Sequence, residues 1–111
     1  MTPNEFQQLV LRTANTHLPV EGQLANVALG LVGEAAEFSE LIKKHLFHGH
    51  VIDADKAKKE LGDVLWYLSW ACQIHGFTME DCMIAVIEKL KLRYPNGFNS
   101  EDSVARVDVT K

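Results

Sequence analysis

Apolar residues recur at helical spacing through most of the chain, and no stretch alternates apolar and polar positions over the length of a strand. Phe6, Leu9, Val10 and Thr13 share one helical face. Thr2-Pro3-Asn4-Glu5 ahead of them can start a helix, with threonine as cap, proline in the first position and Glu5 closing a capping box. This first helix is expected to end near Asn15. A second, from about Gln23 to Leu46, carries the stripe Leu24, Val27, Ala28, Leu31, Ala35, Phe38, Ile42 and His45. Asp53 or Asp55 can cap a third, which Gly76 stops. Thr78 can cap a fourth, with Met79, Cys82, Met83, Val86, Ile87 and Leu90 on its apolar face and Pro95 and Gly97 ending it. The expected architecture is all-α, a four-helix bundle-like domain over residues 1–98, with a polar, flexible tail over 99–111.

The third helix departs from an ordinary amphipathic pattern. Glu60, Asp63, Tyr67, Trp70 and Ile74 lie along one side, and Leu61, Val64, Leu65, Leu68 and Cys72 along another. A helix apolar on two sides needs cover on both. Three partner helices in a small chain do not obviously supply it, so a homo-oligomer is expected, with this helix central to it. Trp66, Tyr67 and Trp70 read as core or interface.

Two carboxylates on that helix need an explanation, because a buried charge is costly unless something positive meets it. At ~100° per residue, Glu60 and Asp63 are about 60° apart on the helix surface. A second pair, Glu34 and Glu37, has the same spacing on the second helix. Glu34 lies about 60° from the centre of that helix's stripe and Glu37 about 120°, both able to face a neighbour, while Glu40 is nearly opposite and pairs with Lys44. Two such pairs on two helices can converge on a hard divalent cation, for which Mg²⁺ is the natural candidate. Gly30 and Gly33 stand just before the first pair in the chain. Glycine is a poor helix former, so these two point to close helix packing or room for a ligand.

Composition narrows the field. The chain has 111 residues and a formal charge of −4, with no basic patch of the kind nucleic acid requires. No charged leader with a long apolar core begins it, and no apolar run approaches the ~20 residues of a membrane span. Cys72 and Cys82 read as reduced core thiols of a cytoplasmic protein. His45, His48 and His50 match no standard zinc spacing and read as a polar helix end and loop. A di-iron bundle would place Glu-x-x-His on paired helices, whereas the third residue after Glu34 is Glu37 and after Glu60 is Asp63. Lys89, Arg93 and Tyr94 suit either phosphate binding or an ordinary basic helix end.

Gly33-Glu34-Ala35-Ala36-Glu37 followed by Glu60-Leu61-Gly62-Asp63-Val64-Leu65-Trp66 resembles the ExxE…ExxD signature of the MazG-like, all-α nucleoside triphosphate pyrophosphohydrolases. Lys43-Lys44-His45-Leu46-Phe47-His48-Gly49-His50 and Lys89-Leu90-Lys91-Leu92-Arg93-Tyr94-Pro95-Asn96-Gly97-Phe98 are similar to flanking blocks of a small single-domain subgroup. The resemblance implies Mg²⁺-dependent hydrolysis of a (d)NTP to the monophosphate and pyrophosphate, including removal of non-standard nucleotides, with Mn²⁺ able to substitute. It implies that Glu34, Glu37, Glu60 and Asp63 hold the metal and that Glu37 orients or deprotonates the water. Lys44, Lys89, Arg93 and Tyr94 would then steady the phosphates, in a homodimer or homotetramer. Phosphoribosyl-ATP is the alternative substrate within the same chemistry; a non-catalytic helical binding module is the alternative outside it. Gly33 stands where some relatives carry a second acid, and Val86 where many carry Asn, so neither nucleobase nor sugar preference follows.

Overall fold

Short-range hydrogen bonds set the helix ends. The computed structural model describes residues 1–109. α1 (Pro3–Val10) opens under Thr2, whose Oγ1 accepts the Glu5 amide at 3.1 Å. It ends at Val10 and not near Asn15: the amides of Arg12 and Thr13 bond three residues back, to the Leu9 and Val10 carbonyls, and Asn15 Oδ1 then accepts the His17 amide in the turn that follows. α2 (Val20–His48) starts directly after Pro19 and extends past the expected residue 46 to Gly49, whose left-handed φ of 73° closes it. α3 (Ala54–His75) is capped by Asp53, which accepts the amides of Asp55 at 2.9 Å and Lys56 at 3.3 Å, and Gly76 at φ 81° ends it. α4 (Met79–Arg93) follows. A fifth helix, α5 (Ser100–Ala105), lies within the stretch expected as a polar tail; Asn99 caps it by accepting the Asp102 amide at 2.8 Å. The described residues are thus all-helical, and none of their helices is long and apolar enough to cross a membrane.

The chain divides into two compact units, residues 1–79 and the residues from Glu80 onward. In the first, α3 packs against both α2 and α1. Val10, Val27 and Trp70 form its buried centre, with Phe6, Ala14, Trp66, Tyr67, Ala71 and Ile74 around them. The α3 indoles are tied as well as packed. Trp70 Nε1–H donates to Gln23 Oε1 at 3.2 Å, and Trp66 Nε1–H to Thr13 Oγ1 at 3.1 Å. The expected core role of these aromatics therefore holds within one chain.

Gln7 joins α1 to the turn after α3. Its side chain is buried, donates through Nε2 to the Phe77 carbonyl at 3.0 Å and accepts the Met79 amide through Oε1 at 2.7 Å. Gln7→Ala strips both backbone groups of their partner. It is expected to cost about 2 kcal/mol in urea unfolding; a loss within a few tenths of wild type would mean that water replaces the amide.

Packing covers less of the apolar surface than the sequence suggests. Of the α2 stripe, Val27 is buried and Leu31, Phe38 and Ile42 are half-buried, but Leu24, Ala28, Ala35 and His45 are exposed. On α3, Cys72 is buried, while Leu61, Leu65 and Leu68 are 46%, 45% and 39% exposed. Cys82, expected in a core, is also exposed. Glu40 pairs with Lys43 at 3.0 Å and not with Lys44. The stripes record every apolar face of a helix, whereas a single chain supplies partners for only some of them.

Candidate functional site

The α2–α3 seam runs antiparallel. Val27 meets Trp70 in the core, and Gly30 lies against the ring of Tyr67 one turn further along α2. The next turn of the same seam brings Glu34 of α2 to Glu60 and Asp63 of α3. Their carboxylate oxygens can all lie within 4.8 Å of one another. Glu34 and Glu60 are half-buried and Asp63 is exposed. The i, i+3 spacing on α3 produces one side of this group by helical geometry alone, and helix registry supplies the other.

Electrostatically the cluster is uncompensated. Ion pairs join Lys43 to Glu40, Lys58 to Asp55 and Arg93 to Asp108, and among the described residues none involves these three acids. Loss of water on the seam raises the Glu34 pKa above the ordinary glutamate value, and the charges of Asp63, Glu60 and Glu37 push it in the same direction. Such a group is a ready host for a cation. Hard oxygen donors suit Mg²⁺ or Mn²⁺, and oxygens on opposite sides of an octahedral Mg²⁺ stand about 4.2 Å apart, a spread these carboxylates can meet.

The remaining candidate residues are placed differently. Glu37, one turn beyond Glu34, is exposed and lies outside the three-carboxylate group, although its charge acts on Glu34. Lys44 is half-buried, ten residues and therefore about 15 Å along α2 from Glu34. His45 donates from Nδ1 to the His50 carbonyl at 2.7 Å and so helps fold back the end of α2. Lys89 is exposed on α4.

Arg93 and Tyr94 occupy the second unit together. Arg93 gives Nε–H to Asp108 Oδ1 at 2.7 Å and Nη2–H to Oδ2 at 2.8 Å, with its guanidinium 5.8 Å from the Tyr94 ring centre. The Asp108 side chain is 1% exposed. The sequence offered no sign of this partner, because Asp108 is fifteen residues away, beyond α5. The Arg93 guanidinium holds the Asp108 carboxyl below the usual aspartate range, and Arg93 is raised in turn. A lowered carboxylate pKa contributes stability above the unfolded value and loses it as pH falls through the folded one. Asp108→Asn is expected to speed amide exchange in α5 at neutral pH, and the native chain to show the same loosening only in acid. Equal protection in both proteins would mean that the pair does not hold the segment.

Comparison with curated proteins gave no match, and comparison with solved structures gave none. The family model described as the MazG nucleotide pyrophosphohydrolase domain, however, matches residues 23–98. That span includes both acidic pairs and the seam that joins them. The chain belongs to the MazG nucleotide pyrophosphohydrolase family.

Proposed function

We propose that this chain is a Mg²⁺-dependent nucleoside triphosphate pyrophosphohydrolase, releasing pyrophosphate and a (d)NMP from a (d)NTP and acting on non-standard nucleotides in the cytoplasm. The observation that carries the reading is the convergence of Glu34, Glu60 and Asp63, three carboxylates from two helices with no cation of their own.

Glu34, Glu60 and Asp63 would hold the divalent ion, with Mn²⁺ able to replace Mg²⁺. A bound ion neutralises charge on phosphate oxygens and makes water more acidic. Glu37, exposed one turn beyond Glu34, would orient the water and accept its proton. Attack at the α-phosphorus forms one P–O bond and breaks the bridge to the β-phosphate, so that pyrophosphate leaves. Lys44, Lys89, Arg93 and Tyr94 are assigned to the phosphates; for Arg93 this leaves the N–H groups that Asp108 does not occupy. The working form is a homodimer or homotetramer, in which a second copy covers Leu61, Leu65 and Leu68.

The test is a panel of NTPs, dNTPs and phosphoribosyl-ATP incubated with Mg²⁺ and assayed separately for pyrophosphate and phosphate. Pyrophosphate with monophosphate, lost in EDTA, supports the reading and ranks the substrates. Turnover of phosphoribosyl-ATP alone transfers the assignment to that substrate. Phosphate alone overturns the reaction class. Silence across the panel, with no thermal shift from Mg²⁺, favours a non-catalytic binding module.

A further inference from the structure

We propose that Gly30 and Tyr67 are positioning residues for the carboxylate centre, setting the distance between α2 and α3 at which Glu34 meets Glu60 and Asp63. The inference rests on the reading of those three acids as divalent-ion ligands.

The seam gives the contact its meaning. Gly30 is one helical turn before Glu34 on α2, and Tyr67 is one turn after Asp63 on α3, so about 6 Å of helix separates the contact from the cluster on each side. A Cβ added at Gly30 would run into the Tyr67 ring at Cε1, Cζ and Cδ1. The ring has little freedom to give way. It meets Trp66 edge-on, with centroids 4.9 Å apart and planes at 80°; Trp66 in turn abuts Trp70 at 5.5 Å and is hydrogen-bonded to Thr13. With the ring braced on the core, an added methyl group displaces the α2 backbone instead. Metal coordination is sensitive to such shifts, because the ligands must reach one ion from two separate helices.

Gly33 supplies the contrast within the same helix. A Cβ there meets nothing within 4 Å. Both glycines disfavour helix equally, yet only Gly30 gains a close interhelical contact in return. Two roles that the sequence left joined, close packing and free space, fall to different residues.

The test is calorimetric titration of the metal-free full chain with Mn²⁺, alongside circular dichroism and pyrophosphate release. Gly30→Ala is expected to stay helical but bind Mn²⁺ about 10-fold more weakly or worse, with a matching loss of kcat. Gly33→Ala is expected to bind like wild type. Equal affinities in the two alanine variants overturn the proposal. Should Gly30→Ala fail to fold, Tyr67 decides: Tyr67→Phe keeps the ring and is expected to keep the affinity, while Tyr67→Leu loses it. Equal affinity in that pair also overturns the proposal. A wild-type chain that neither binds Mn²⁺ nor releases pyrophosphate removes the metal reading itself, an outcome distinct from a wild type that binds and a Gly30→Ala that binds equally well.

Discussion

With Mg²⁺ present, Glu34→Gln is expected to lose at least about 100-fold of its pyrophosphate release, since one ligand to an ion worth several kcal/mol of transition-state stabilisation is gone. In EDTA the same variant is expected to melt higher than the native chain. Both effects have one origin. Desolvation on the seam and the charges of Asp63, Glu60 and Glu37 raise the Glu34 pKa, so the folded chain holds this proton more tightly than the unfolded chain does. Stability is therefore greatest below the unfolded glutamate value and declines as pH rises through the folded one. The amide that replaces the carboxyl in the variant stays neutral and escapes that decline. The gap in melting temperature between variant and wild type should open as pH rises through the carboxylate range, close again in acid, and reverse when Mg²⁺ saturates the wild type. Scanning calorimetry at several pH values, with and without Mg²⁺, reads all three conditions. A variant that melts lower than wild type in EDTA at neutral pH would show that Glu34 is held by a structural partner and not opposed by like charges. Glu60→Gln is expected to lose activity similarly while retaining the fold.

The second large effect concerns the uncovered side of α3. Placing lysine at both Leu61 and Leu65 is expected to convert an oligomer into single chains. A leucine contributes roughly 1.5–3 kcal/mol when fully buried, and a little under half of each of these two remains to be covered, so losing the pair weakens association by at least about 10-fold before the cost of opposing charges is added. Size-exclusion chromatography with light scattering measures the outcome. Since α3 also carries Glu60 and Asp63, the same variant tests whether the centre depends on assembly: loss of Mn²⁺ binding along with the oligomer would mean that a neighbouring copy steadies α3. A wild-type chain that runs as a monomer at every concentration would remove the oligomer from the proposal and leave the three leucines without an explanation.

Several features of the fold were legible because they are local. Thr2, Asp53 and Gly76 act on amides and carbonyls within a few residues, so their effect on helix ends follows from chain chemistry. The early end of α1 is local too, in tight three-residue bonds from Arg12 and Thr13, where apolar spacing alone extended the helix. Asn99 was equally local, and its capping of α5 was readable in principle within a stretch dominated by polar residues. The pairing of Glu60 with Asp63 also followed from sequence, since i, i+3 positions share a helix face in any helix.

Sequence by itself determined the all-α class, the two acidic pairs and the two-sided character of α3, because each depends on periodicity within one element. Tertiary structure alone decided which acids meet. The antiparallel registry set by Val27 with Trp70 and Gly30 with Tyr67 brings Glu34, and not Glu37, into the group with Glu60 and Asp63. It also separated the role of Gly30 from that of Gly33 and gave Arg93 its partner in Asp108. Registry is a packing solution between side chains distant in the chain, and a change of one turn alters every contact along the seam while leaving each helix's own pattern intact.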